Sequence, residues 1–154
     1  MKVMDFLQSD AISADLKATD KKGAIKELVT LLFKSGAIKN KETIVKILMD
    51  REALGSTGIG HGIGIPHGKS PDVKKLVAAF GLSQKGVDFE SLDGESCHIF
   101  FLLVAPVDSA GPHLKALARI SRILKDKHFR DLLRRSKDVK TILQAIKEED
   151  DRKA

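Results

Sequence analysis

The chain has 154 residues, 42% hydrophobic and 31% charged, with a formal charge of +6. That length fits a single domain that buries a core without metal or disulfide. The lone cysteine, Cys97, excludes an internal disulfide, and its apolar setting predicts a buried, inert thiol in a reducing compartment. The longest apolar run, residues 99–107, is far too short to span a membrane. The N-terminal MKVMDFLQSD lacks the apolar core of a signal peptide. A soluble cytoplasmic protein, without membrane insertion, is expected. The positive charge permits an acidic partner. With no tryptophan or tyrosine to stack on bases, nucleic acid is not an expected partner.

Residues 1–18 carry short apolar pieces (Val3, Met4, Phe6, Leu7, Ile12, Leu16), fit for an edge strand or a short helix. Thr19 or Asp20 then caps a helix with apolar positions Ala24, Ile25, Leu28, Val29, Leu31 and Leu32, which stops at Ser35-Gly36. Asn40 caps a second helix, striped by Ile44, Ile47, Leu48 and Leu54 and ended by Gly55. Arg51 and Glu52 lie in its last turns, so Arg51 is delivered to the start of a glycine-rich segment.

That segment is GSTGIGHGIGIPHGKS, residues 55–70, with glycine at 55, 58, 60, 62, 64 and 68. Ordering so much glycine is entropically expensive, which points to close backbone approach to another element, a ligand or a partner. Ile59, Ile63 and Ile65 alternate with glycine at the period of a strand, giving one bulky face and one bare face. Pro66 removes a backbone donor and keeps Ile65 extended, which predicts that the strand ends there with His67 at its tip. Gly68-Lys69-Ser70 ends like a P-loop, but the required earlier glycine is Ile63, and the dinucleotide fingerprint fails from every starting glycine. Nucleotide binding of either kind is rejected.

A strand comes next over 76–82, bounded by 83–86, then a short apolar piece, 87–92, leading to an Asp93-Gly94 turn. Residues 98–104, apolar on both faces and closed by Pro106, read as a buried strand. Gly111-Pro112-His113 opens a long amphipathic helix with Leu114, Leu117, Ala118, Ile120, Ser121 and Leu124 inward. Asp126 caps a short helix and Ser136 a last one. The tail over about 148–154 is expected to fray. Helices, then short strands, then helices make a mixed α/β single domain over 1–154, and the short strand connections require a mixed sheet.

Three residues draw attention as chemistry. His67 is either a turn-capping histidine or, neutral near pH 7, a nucleophile able to accept and release a phosphoryl group. His113, in the first turn of a helix where free N–H groups favour anions, is either a surface residue or a donor to a phosphoryl oxygen. Arg51 either complements its helix dipole or offers a planar fork to phosphate. His61 shares strand parity with His67 if the segment stays extended. A zinc reading is disfavoured because no carboxylate or cysteine stands at ligand-like spacing. His98 and His128 carry no signal. The cations Lys115, Arg119, Arg122, Lys125, Lys127, Arg130, Arg134 and Arg135 read as a solvated helix face.

The segment REALGSTGIGHGIGIPHGK, residues 51–69, together with Pro106 and HLKALARIS from His113, resembles the type-2 enzyme IIA domains of the bacterial phosphotransferase system, the fructose/mannitol class, and their nitrogen-regulatory relatives. The resemblance covers nearly the whole chain. It implies a mixed sheet flanked by helices on both sides, with His67 in a shallow depression. It also implies a phosphocarrier with neither cofactor nor metal. Phosphoenolpyruvate phosphorylates enzyme I, a histidine phosphocarrier protein relays the group, and Nε2 of His67 accepts it. His113 is implied to orient or stabilise the site, and Arg51 to stabilise the phosphorylated state. The later partner is either a regulatory target, in the nitrogen-regulatory branch that the PHGK wording and stand-alone size favour, or a IIB component, in a fructose-type IIA. A non-catalytic interaction module and a metallohydrolase are the readings from other classes. Position 61 is often polar or acidic in this family. Here it is His61, expected to alter the phosphohistidine if it lies beside His67.

Overall fold

The computed structural model describes residues 1–153. Its central strand is β6 (Cys97–Ala105), and every other element is placed by what that strand needs. Ile99, Phe101 and Leu103 enter one core, while Phe100, Leu102 and Val104 enter the other. A strand apolar on both faces must be covered twice. On one face lie α1 (Lys21–Lys34) and α2 (Lys41–Glu52); on the other lie α3 (Ala110–Leu124), α4 (Lys127–Arg135) and α5 (Val139–Arg152). Each fully buried Phe or Leu contributes roughly 1.5–3 kcal/mol to holding these layers together.

Beside β6 the sheet runs β1 (Leu7–Ser13), β5 (Val77–Val87), β6, β3 (Ile63–Gly64), β2 (Gly58–Gly60), with β4 (His67–Lys69) also paired to β6. The β5–β6 and β2–β3 pairs are antiparallel, the others parallel. The sheet is mixed, as the short connections require. The N-terminal apolar pieces form the edge strand β1, preceded by a 3-10 turn at Val3–Asp5.

The caps obey side-chain chemistry. Asp20 accepts from the Gly23 N–H at 3.0 Å, Asn40 from Thr43 at 3.1 Å and Asp126 from Phe129 at 3.2 Å, each worth about 1 kcal/mol. The last cap corrects the sequence reading. Asp138 caps α5, accepting from Thr141 at 2.7 Å, whereas the Ser136 hydroxyl is engaged by the Leu132 carbonyl at the end of α4. The strand expected over 76–82 continues to Val87, because Gly86 takes φ +97° and absorbs a register shift between Leu82 and Val87.

Two corrections concern the helical layer. The buried stripe of α3 is His113, Ala116, Ile120, Ile123 and Leu124, and Leu114 is 66% exposed. Apolar residues extend over more than one face of this helix, so apolarity alone does not choose the inner one. The tail expected to fray over about 148–154 is helical to Arg152 (Ala154 lies outside the described residues). Its Asp150 is buried and accepts the N–H groups of Val3 and Met4, both at 3.0 Å. Asp150 also accepts from Arg119, Nε at 3.1 Å and Nη2 at 2.8 Å. Arg119 is therefore an interior partner, not part of a solvated face. Among the described residues, no helix is long and apolar enough to cross a membrane.

Candidate functional site

Strands β3 and β4 are one line of chain in one register. Ile63 lies opposite Ile99 and His67 opposite Leu103, the same offset on both sides of Pro66. Pro66 lacks an N–H, so it interrupts the ladder. Its carbonyl still accepts from Leu103 N at 3.0 Å, and pairing resumes beyond it. His67 thus stands within a resumed strand and not at a strand tip. Period-2 alternation then decides where each side chain points. Ile63 and Ile65 enter the core under α3, and His67 and Lys69 continue that stripe beyond it.

The bare face of the same line explains its glycines. A Cβ on Gly64 would come within 2.8 Å of the buried Phe100 ring, and one on Gly68 within 2.9 Å of Ile47 on α2. The close approach predicted from glycine content is to the protein's own aromatic core and to α2.

His67 is half-buried, and its Nδ1 lies 2.7 Å from the carbonyl oxygen of Ile65. A carbonyl only accepts, so Nδ1 carries the proton and Nε2 keeps its lone pair. Burial pushes the His67 pKa down; the Ile65 carbonyl opposes this, and the nearby Arg51 guanidinium adds to it. The lowered pKa favours the neutral, nucleophilic ring near pH 7.

His113 comes from the first turn of α3 and is buried, not a surface residue. Its ring centroid lies 5.5 Å from that of His67, tilted by 49°. Burial lowers its pKa to about 4, with the neighbouring His67 ring and the Lys69 ammonium each opposing a second positive charge there. Its Nδ1 is buried and has no hydrogen-bond partner among the described residues.

Arg51, in the last turn of α2, donates from Nη1 to the Gly55 carbonyl at 2.9 Å, which folds its side chain back over the start of the glycine segment. Beneath it lies a buried network. Glu52 accepts from Thr57 N at 3.1 Å and from the Thr57 hydroxyl, and pairs with Lys21 Nζ at 3.2 Å. The Lys21 ammonium also stands over the Phe89 ring. This network ties the end of α2 to the start of α1 and to the residue that enters the β2–β3 hairpin. Sequence reasoning missed Lys69 as part of the setting and noted Glu52 only as the neighbour of Arg51 at the end of its helix. The parity of Lys69 with His67 was the available signal; the buried role of Glu52 rests on Lys21, which comes from another helix.

His61 does not stand beside His67. It and Gly62 have φ of +56° and +74°, forming the two-residue turn of the β2–β3 hairpin. The four strand steps from Ile63 to His67 already span roughly 13 Å. His61 instead borders a cavity with Asp93, His98, Arg130 and Arg134. His98 is held by the Ser83 carbonyl at 2.9 Å, and His128 is exposed. Among the described residues, no group of three or more His, Cys, Asp or Glu is gathered to hold a metal ion.

Chemically, the site presents one imidazole nitrogen with a free lone pair, a second neutral imidazole, and two flanking cations. Such a setting suits an anionic electrophile.

The family model of the phosphoenolpyruvate-dependent sugar phosphotransferase system EIIA 2 matches residues 5–149. A nitrogen regulatory protein of Bradyrhizobium diazoefficiens is 38% identical over 146 residues, covering 95% of each chain. The fructose-specific EIIABC component of Bacillus subtilis is 35% identical over 97% of this chain, which spans 24% of that longer protein. The crystal structure of nitrogen regulatory protein IIA-Ntr from Neisseria meningitidis superposes with a TM-score of 0.85 at 28% identity, over 92% of this chain and 97% of that one. With a matching model along almost its whole length and a relative of equal extent, the chain belongs to the EIIA 2 family of phosphotransferase-system proteins.

Proposed function

We propose that His67 is the acceptor of a phosphoryl group delivered by a histidine phosphocarrier protein. The observation that carries this reading is the Nδ1–H to Ile65 carbonyl bond, which leaves Nε2 as the bare nucleophilic nitrogen. In the step, the Nε2 lone pair attacks phosphorus. The donor's P–N bond breaks and returns its electron pair to the donor imidazole. No proton need move: Nδ1–H stays on Ile65, whose carbonyl favours the positive charge the ring acquires. Catalysis is then positioning and charge stabilisation. Arg51 and Lys69 supply positive charge near the phosphoryl oxygens, and a neutral His113 can donate an N–H to one of them. The exposed Leu114, next to His113, and Val107, just past β6, offer an apolar rim to a carrier protein.

Two branches share this chemistry. We favour the regulatory one, in which partners read the phosphorylation state; the 38% identical relative named a nitrogen regulatory protein supports it. Transfer to a IIB component for sugar uptake is the second reading, supported by the likeness to the fructose-specific component.

Intact mass after incubation with phosphoenolpyruvate, enzyme I and the phosphocarrier protein tests the acceptor. One acid-labile phosphoryl adduct is expected, absent from His67→Ala. An adduct retained by His67→Ala would move the acceptor elsewhere, and none on the wild type would make the site a docking surface alone. Adding a fructose-type IIB to the phosphorylated chain separates the branches, because loss of the adduct to IIB favours sugar transport.

A further inference from the structure

A groove of about 540 Å³ runs between α1 and α2, and His67 does not line it. Three ridges shape it, each spaced i, i+4, i+8: Lys22, Lys26 and Thr30 on α1, then Lys41, Val45, Met49 and Glu42, Lys46, Asp50 on α2. Each ridge is about 12 Å long at 1.5 Å per residue. Val45 and Met49 form an apolar floor continuous with the core beneath. The walls are cationic. Lys46 is paired with Asp50 at 2.8 Å, and Lys41 rests over the Phe33 ring. Lys22 and Lys26 are exposed and make no ion pair among the described residues. Setting the Lys46–Asp50 pair aside, three ammonium groups face the one carboxylate of Glu42.

Two helices with a ridged groove between them accept a third helix, and an apolar floor takes its apolar stripe. Cationic walls select the sign of the flanking residues. We propose that this groove docks an acidic amphipathic helix of a partner protein, its apolar stripe on Val45 and Met49 and its carboxylates, one turn apart, against Lys22 and Lys26. The placement suits a regulator. The same two helices supply Lys21, Arg51 and Glu52, so an occupant lies on the elements that frame His67 without covering it. The groove needs no phosphoryl chemistry, and its test does not depend on the acceptor assignment.

The test titrates the ¹⁵N-labelled chain with two synthetic helical peptides of one length and one apolar stripe, flanked by Glu in one and by Lys in the other. Saturable shifts confined to amides 22–30 and 41–50 are expected with the Glu peptide, and none with the Lys peptide. The Lys22→Glu, Lys26→Glu double variant should bind about tenfold more weakly, with the rest of its amide spectrum unchanged. His67→Ala should bind as wild type does. Equal response to both peptides, shifts spread over the basic surfaces of α3 and α4, or an unchanged affinity of the double variant would overturn the proposal. So would concentration-dependent self-association abolished by the double variant, which assigns the groove to a second copy of the chain.

Discussion

The imidazoles of His67 and His113 meet with ring centroids 5.5 Å apart, one carried by the sheet and the other by the first turn of α3. Both are neutral because both are desolvated, so the pair offers a nucleophile and a neutral donor rather than two repelling cations. If His113 donates to the phosphoryl group in the transition state, His113→Ala should slow phosphorylation of His67 by about 10²-fold, the usual cost of one such donor. The final extent at saturating donor should stay at one adduct. Quench-flow intact mass gives both, and an unaltered rate would place His113 outside the transfer step.

The same desolvation links stability to pH. The folded pKa of His113 lies near 4, below the ordinary value of 6.5 that the unfolded chain recovers. Between these values the unfolded chain binds more protons, so stability is whole above about pH 6.5 and is lost as the pH falls through about 4. The full loss is on the order of 3 kcal/mol, and His67 adds to it with the same sign. Urea midpoints from about pH 7.5 down to about pH 4 should fall accordingly, and His113→Gln should flatten the slope. A wild-type slope equal to the variant's would show that His113 stays solvated.

Glu52 and Lys21 form an ion pair with side chains 1% and 9% exposed. Removing one partner leaves the other charged and buried, so Glu52→Ala should cost about 3–5 kcal/mol in urea unfolding. It also frees the Thr57 N–H and hydroxyl, and slower phosphorylation should accompany the loss as the Arg51 loop loosens. A cost under about 1 kcal/mol would mean that water reaches Lys21 when the pair is broken.

Asp150 closes the N-terminal turn onto the last helix through two backbone N–H groups and Arg119. Asp150→Ala should therefore destabilise by about 3–5 kcal/mol, and should raise hydrogen exchange first at Val3 and Met4. Protection at those amides equal to wild type would contradict the assigned role.

Much of this architecture is legible in order along the chain. Caps at Asp20, Asn40 and Asp126 act within one turn, so their residue type suffices to place them. The two-sided apolarity of residues 98–104 demands cover on both faces, and the Gly/Ile alternation before Pro66 foretells one bulky and one bare face. The resemblance of residues 51–69 and of the His113 segment to a phosphotransferase family points to His67, His113 and Arg51, the side chains on which the proposed phosphoryl site is built.

The features that stayed hidden depend on contacts between distant parts of the chain. Pro66 looks like a stop, yet β6 supplies a donor to its carbonyl and carries the register past it. Leu114 looks like core on its own helix, but it is His113 that the fold turns inward beside His67. An acidic tail reads as solvated until Asp150 finds Val3, Met4 and Arg119. His61 shares a segment with His67, and a left-handed turn removes it. By itself the sequence determined the order and type of most elements, the caps at Asp20, Asn40 and Asp126 and the alternation that sends His67 to one face, because these rest on interactions a few residues apart. The neutrality of the two imidazoles and their meeting were decided by tertiary structure alone, because desolvation and proximity belong to the packed layers and to no local stretch.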